Sequence, residues 1–318
     1  MALNIAVVMD PIEHIKIGKD STIAMLWAAA ARGHTLWYLE QHDLFVRDGI
    51  ACGDMAPLQV FEDSAKWFER GERVTRRLAD MDVILMRKDP PFDMNFIYST
   101  YILEKAEADG VLVVNRPQSL RDCNEKFFAT HFPHCMVPTL ISGDMKKLRA
   151  FVHEQQDAIV KPLDGMGGSG IFRLTAGGPN IGAVLETLTG NGQHPVMAQR
   201  YIPEITTGDK RILMIDGEPI PYALARIPQG DEVRGNLAAG GIGEPRLLTP
   251  QDRWLAQQVG PELKKRGLIF VGLDVIGEYI TEINVTSPTC IREIDAHYGY
   301  GIAERLVETI ERKVATRS

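Results

Sequence analysis

Cysteine is scarce in this chain: four residues in 318, Cys52, Cys123, Cys135 and Cys290, scattered with no paired metal-ligand spacing. That excludes a disulfide scaffold and a cysteine-built zinc site, and the four read as free thiols in a reducing compartment. Long apolar runs are also missing. The longest, Ile23 to Ala31, has nine residues, where a membrane-spanning helix needs about 20. The N-terminus, Met-Ala-Leu-Asn, carries no basic stretch, so no secretory signal is expected. Nor is positive charge in excess: 35 Lys and Arg stand against 42 Asp and Glu, a net charge of −7. This balance disfavours a nucleic-acid binder, which needs a basic face, and leaves room only for a local basic pocket suited to a phosphorylated ligand. No repeat or low-complexity tract is visible. The reading is a soluble cytoplasmic protein with small-molecule partners, no nucleic acid and no membrane.

What is present is ordinary globular composition, 45% hydrophobic and 24% charged. Length suggests two or three domains. Surface scaling gives roughly 13,000 Å² folded against roughly 51,000 Å² unfolded, enough burial for self-sufficient cores. Leu3 to Met9 is a continuous apolar run ending at Asp10-Pro11, which suits a buried parallel strand. Asp20-Ser21 then caps an Ala-rich helix that stops near Gly33. Thr35–Leu39, Asp82–Met86 and Val111–Val114 read as further strands, with a helix around Phe96–Ala108. This β-α-β rhythm predicts an open parallel sheet, with ligands beyond the carboxyl ends of its strands. Asp10, Arg87-Lys88-Asp89 and Asn115-Arg116 stand there.

Arg116-Pro117 to Asn124 reads as a connector, and the pattern then changes. Short strands alternate with glycine-rich loops: Ala158–Lys161, Ile171–Leu174, Val196–Gln199, Arg211–Ile215, Ile220–Arg226, Ile269–Val275 and Tyr279–Val285. Asp216-Gly217 signals a hairpin. Two helices are expected, Thr249–Arg266 and Gly301–Arg312. This half is α+β and mostly antiparallel.

Gly165-Met-Gly-Gly-Ser-Gly170 matches G-x-G-x-x-G literally. A dinucleotide fingerprint requires a helix to start inside the motif, and here Ile171-Phe-Arg-Leu174 is strand-like. A phosphate loop would need Lys-Ser/Thr after the last glycine, which is absent. What remains is a glycine hairpin between strands. It is either a plain tight loop or one that lays backbone amides over a nucleotide's phosphates. Lys161 favours the second, because a lysine between Val160 and Pro162 in an apolar strand is costly unless it meets an anion. Lys126 is more ambiguous, since a helical lysine is usually solvated. Gln199-Arg-Tyr-Ile202 could be a plain strand end or a hinge offering backbone groups to an adenine.

Asp274 lies in one apolar strand, and Glu282 with Asn284 in the next. A three-residue loop near Gly277 would pair position 276 with 280 and Asp274 with Glu282. Glu282 and Asn284 share a face, because strand side chains alternate. Two carboxylates and an amide oxygen on one patch suit a hard divalent cation such as Mg²⁺, completed by substrate phosphates. Arg211, Arg226, Arg234 and Arg292 are suited to phosphate or carboxylate, though each alone could be a surface charge. Positions 227–243 hold few large apolar residues and carry Arg234 and Asn236. They are expected to form a mobile lid, or else a disordered connector.

Five long stretches carry a family resemblance: Val83 to Phe92, Lys161 to Gly168, Ala225 to Gly230, Arg234 to Gly241 and Thr281 to Arg292. The chain strongly resembles the bacterial glutathione synthetases, of the ATP-grasp superfamily, over nearly its whole length. The resemblance implies an N-terminal open parallel α/β domain (1–122), then two α+β lobes (123–202 and 203–318) that grasp ATP. It implies ATP- and Mg²⁺-dependent ligation of γ-glutamylcysteine to glycine through an acyl phosphate, with Mn²⁺ as a substitute and a homotetrameric assembly. By similarity, Lys126, Lys161, Gly167, Gly168, Gln199, Arg200, Tyr201, Ile202, Asp209 and Lys210 serve ATP. Asp274, Glu282 and Asn284 serve the metal. Arg211, Arg226, Arg234 and Asn236 are expected to act in catalysis on this reading. Arg292, Ser287 and Thr289, with Arg87 and Asp89, are the candidates for docking the acid substrate. Another carboxylate–amine ligase, or a non-catalytic ATP-binding module of the same shape, are the competing readings.

Overall fold

The computed structural model describes residues 2–317 except 231, 233, 238 and 239. The first sheet has β1 (Asn4–Val8), β2 (Thr35–Leu39), β3 (Leu44–Arg47), β4 (Ile50–Val60), β5 (Phe68–Arg70), β6 (Val74–Arg77), β7 (Val83–Met86) and β8 (Leu112–Val114). Its order is β3-β4-β2-β1-β7-β8, with β5 and β6 also paired to β4. The expected parallel core is there as β2-β1-β7-β8. The antiparallel extension over 44–77 was not legible, because its strands are edge-like, interrupted by Gly53 and Pro57, and largely exposed in β5 and β6. Helices α1 (Ser21–Ala31) and α2 (Met94–Ala108) start at aspartate caps. Asp20 accepts from the Ile23 amide (2.6 Å) and Asp93 from that of Phe96 (2.9 Å).

The stretch read as a connector contains a short helix, α3 (Pro117–Asp122), begun by the proline at its first position. The first lobe is a sheet of β9 (Thr139–Ser142), β10 (Asp157–Pro162), β11 (Phe172–Thr175) and β12 (Val196–Arg200), in the order β11-β10-β12-β9 and fully antiparallel. Two helices missing from the sequence reading, α4 (Met145–Gln155) and α5 (Ile181–Thr189), cover one face. They share a separate core with that sheet, built on Leu148, Val152, Ala158, Val160 and Leu185.

The second lobe has β13 (Asp209–Ile215), β14 (Glu218–Ile227), β15 (Ile242–Leu247), β16 (Phe270–Ile276) and β17 (Tyr279–Asn284), antiparallel in the order β15-β14-β13-β16-β17. Asp216 and Gly217 both take positive φ (49° and 80°), the two-residue turn that their sequence predicts. Helix α6 (Pro250–Lys265) begins at a Thr249–Asp252 capping box. Helices α7 (Ile291–Tyr298), also unforeseen, and α8 (Ile302–Ala315) close the chain. Apolar cores run continuously from the N-terminal sheet into the second lobe. Among the described residues no helix is long and apolar enough to cross a membrane. The four cysteines are buried and unpaired.

Candidate active site

A cavity of about 310 Å³ opens between the two lobes and the carboxyl edge of the N-terminal sheet. On one side stands a quartet of charges. Lys126, just past α3, and Lys161, on β10, are 2% and 5% exposed. Both amines turn to Glu282 on β17, Lys161 Nζ at 3.2 Å and Lys126 Nζ at 3.7 Å. Lys126 also donates to Glu125 and to the Gly165 carbonyl (2.6 Å). Lys126 is therefore no solvated helix lysine. Burial alone would raise the Glu282 carboxyl, but Lys126 and Lys161 outweigh it and hold it below the usual range. Glu125 goes the other way, pushed up by burial and by the charge of Glu282. Sequence reading missed Glu125. The available signal was its place beside a lysine that must be buried if it is to meet phosphate.

A second quartet lies across the cavity, and sheet register builds it. Asp209 and Arg211 share a face of β13; Asp209 pairs with Arg226 of β14 and Arg211 with Asp274 of β16. Arg211 grips Asp274 through Nε and Nη2 (3.1 Å for the second contact), and Arg226 Nη2 stands 2.9 Å from the same carboxylate. Arg226 also donates to Asp209. The two guanidiniums overcome burial and hold Asp274 well below the carboxylate range. Burial pushes Asp209 up to about 7 against the opposing pull of Arg226. Asp209 Oδ1 has no hydrogen-bond partner among the described residues.

The hairpin carrying the metal candidates differs in detail from expectation. Its loop has two residues, pairing Ile276 with Tyr279 and Val275 with Ile280. A bulge at Thr281 then restores Asp274 opposite Glu282. Asn284 lies two residues beyond Glu282 and donates Nδ2 to the Gly272 carbonyl (3.4 Å), which leaves Oδ1 as its acceptor. Among the described residues no three His, Cys, Asp or Glu side chains form a ready cation cage. Glu282 and Asn284 still supply hard oxygens beside two phosphate-suited lysines, a donor set that fits a divalent ion completed by phosphate oxygens. Asp274 contributes less freely, because two arginines occupy it.

The glycine hairpin joins β10 to β11 as expected, with Gly167, Gly168 and Gly170 at positive φ. A Cβ on Gly168 would come within 2.8 Å of Asn236 Oδ1 and 3.1 Å of Arg234 Cδ. The loop between β14 and β15 thus reaches across to the glycine hairpin, and Arg234 Nη1 lies 3.4 Å from the Gly168 carbonyl. Of the lid expected at 227–243, positions 231, 233, 238 and 239 lie outside the described residues. Gln199, Arg200, Tyr201 and Ile202 line the far end of the cavity. Tyr201 is fixed there by the Arg173 guanidinium, 3.7 Å from its ring centre.

Near the N-terminal sheet, Asp89, Ser287, Thr289 and Cys290 face the cavity. Three expected residues do not. Lys210 points to the opposite face of β13, onto Asp252 and the Gly277 carbonyl. Arg292, on α7, lies over the Trp27 ring at 4.6 Å. Arg87 is buried behind the wall, against Thr22 and the Pro288 carbonyl.

Two family models match the chain: "Prokaryotic glutathione synthetase, N-terminal domain" over residues 3–121 and "Prokaryotic glutathione synthetase, ATP-grasp domain" over 125–299. A glutathione synthetase of Pseudomonas putida is 62% identical over 317 residues, covering 100% of both chains. One from Shewanella oneidensis is 55% identical over 312 residues, 98% of this chain and 99% of that one. Among solved structures, the ATP-grasp ligase PsnB complexed with minimal precursor, Mg and ADP superimposes with a TM-score of 0.63 at 19% identity. It covers 98% of this chain and 97% of that one. The D-alanyl-alanine synthetase A of Vibrio cholerae gives 0.59 at 13%, with 99% of each covered. At such identities these two establish the fold alone, which is ATP-grasp.

Proposed function

The chain belongs to the prokaryotic glutathione synthetase family, and from that premise we propose how its residues divide the work. The activity is ATP-dependent ligation of γ-L-glutamyl-L-cysteine to glycine, giving glutathione, ADP and phosphate. A carboxylate is a poor acceptor for an amine, so ATP first phosphorylates it and the acyl phosphate then gives up phosphate as the amine attacks. Lys126 and Lys161 exchange Glu282 for the polyphosphate. Gly167 and Gly168 cover it with backbone amides, Gln199 to Ile202 hold the adenine, and Asp209 Oδ1 accepts from the ribose. Glu282 and Asn284, with Asp274 beside them, would hold a divalent cation, Mg²⁺ with Mn²⁺ as substitute, which would supply charge neutralisation at the transferring phosphate.

Arg211 and Arg226 stabilise the phosphoryl group in transfer and the acyl phosphate. Arg234 and Asn236 close over the site and keep water from that intermediate. Ser287, Thr289 and Asp89 bind the acid substrate. Arg292 and Arg87, set back from the cavity, serve it indirectly; Lys210 stays outside the ATP site. No side chain need become covalently bound, so Cys290 is not a nucleophile here. We take the units to be 1–122, 123–202 and 203–318, the enzyme to be cytoplasmic, and the assembly to be a homotetramer.

The observation that carries this reading is the convergence of two charge-balanced quartets on one cavity under a glycine hairpin. The test is ADP release with Mg²⁺, ATP, γ-glutamylcysteine and glycine, each omitted in turn. A requirement for all four, with one tripeptide per ADP, is expected. ADP release without glycine at the full rate would defeat the water-excluding role of Arg234 and Asn236, and turnover only with another acid or amine would defeat the substrate assignment.

A further inference from the structure

Arg87 follows the carboxyl end of β7 and is 6% exposed, yet among the described residues it forms no ion pair. Its guanidinium spends itself on neutral acceptors: Nε donates to Thr22 Oγ1 (3.1 Å) and Nη2 to the Pro288 carbonyl (2.9 Å), with the Phe270 ring centre 5.7 Å away. Asp89 and Asp20 are the acidic groups whose charge acts on it, neither in contact with it. A buried cation without a paired anion is costly to keep, so it calls for a return elsewhere.

The segment it holds is 286–290, five successive residues that all line the cavity. The N-terminal domain pins this segment at further points. Ser287 Oγ donates to the Arg87 carbonyl (3.3 Å), and the Ile291 amide donates to Ser21 Oγ (3.2 Å). Asn115 fixes the approach, donating to the Val285 and Phe270 carbonyls (2.7 Å each) and accepting from the Phe270 amide (2.9 Å). Among the described residues the segment has no sheet partner of its own, and Cys290 sits in it at φ 90°, so its shape rests on these outside contacts.

We propose that Arg87 is a positioning residue for the acid substrate: it touches no substrate atom, but staples Pro288 to the N-terminal sheet so that Ser287 and Thr289 meet the dipeptide. This rests on the reading of 286–290 as the acid-substrate wall. A lysine keeps the charge but has no planar fork to reach both acceptors. In Arg87→Lys, KM for γ-glutamylcysteine should rise about tenfold or more, while kcat and KM for ATP move less than about threefold. Amide exchange over 286–291 should quicken about tenfold, with exchange over 165–170 unchanged. Unaltered exchange at 286–291 would overturn the staple. Thr22→Val removes one acceptor without touching Arg87, and should shift both readouts the same way by about threefold, which keeps the test open should Arg87→Lys fold poorly.

A dipeptide lacking the glutamyl α-carboxylate, 4-aminobutanoyl-cysteine, separates positioning from contact. An equal fold-loss on both substrates fits positioning, whereas a loss that vanishes with the analogue means a direct ion pair and overturns the proposal. Ser287→Ala and Thr289→Val examine the underlying reading separately. An unchanged KM for the dipeptide in both would remove the acid wall itself, whatever Arg87 does to the segment.

Discussion

Two quartets, each of two cations and two carboxylates, face the same cavity, and they are built from different materials. Lys126 and Lys161 reach Glu125 and Glu282 from a connector and a strand of the first lobe. Arg211 and Arg226 are interlocked with Asp209 and Asp274 by the register of one sheet. Each quartet contains one carboxylate held down, Glu282 or Asp274, and one pushed up, Glu125 or Asp209. Lysine amines are point charges on flexible stems and can change partners; guanidinium forks locked in register cannot do so cheaply. The lysine side suits a long polyphosphate that arrives and leaves. The arginine side suits charge that develops at a fixed place and gains from donors already oriented.

The strongest way to break that contrast is to remove one member of the rigid quartet. Arg226→Met leaves Asp209 and Asp274 buried with Arg211 as the one cation of the quartet, and breaking such a network costs about 3–5 kcal/mol. Urea unfolding of the unliganded protein measures it; a loss below about 1 kcal/mol would mean the arginine side is as adaptable as the lysine side. Glu282→Gln attacks the other quartet and should read differently. Lys126 keeps Glu125 and the Gly165 carbonyl, so stability falls less than in Arg226→Met. Turnover at saturating ATP should fall about 10²-fold, the scale on which an oriented electrostatic partner counts in catalysis. A fall under tenfold would move the catalytic weight to the arginines.

How much of this was legible follows the same division. The lysine side was signalled locally, because Lys161 in an apolar strand and the glycines beyond it speak within one stretch of chain. The pairing of Asp274 with Glu282 came out as expected although the loop did not: the hairpin is one residue shorter, and a bulge at Thr281 restores the register. The arginine quartet joins β13, β14 and β16, and nothing local says that Arg226 and Asp274 share Asp209's neighbourhood. Helices α4, α5 and α7 were missed because they are short, eight to eleven residues, and at that length packing supplies what propensity lacks. Glu125 was hidden by its neighbour, and Arg87 was placed at the right strand end but on the wrong side of the wall.

The raised Asp209 carboxyl sharpens the comparison through pH. Its folded value of about 7 lies far above the roughly 3.9 of an unfolded chain. Between those values the folded form keeps a proton that the unfolded form has lost. Stability from this group is therefore full below pH about 4, falls as pH rises to about 7, and is level above. Asp274, held down, acts with the opposite sign and only below about pH 4. Asp209→Asn should flatten the decline between pH 5 and 7 in urea midpoints of the unliganded protein. Parallel curves for wild type and Asp209→Asn would show that the rigid quartet does not store its strain in Asp209.

The smallest catalytic effect is expected one residue from the largest electrostatic one. Lys210 sits between Asp209 and Arg211, but strand alternation turns it away from the cavity to Asp252, which also caps α6 through the Thr249 amide and hydroxyl. Lys210→Met leaves Asp252 those two donors, so the cost should stay near 1–2 kcal/mol of stability, and KM for ATP and kcat should remain within about twofold. Arg211→Met should instead cut kcat by about 10²-fold. If both variants cut kcat alike, the face of β13 would not be what separates them, and the charge of the whole strand, rather than the register of the quartet, would govern catalysis.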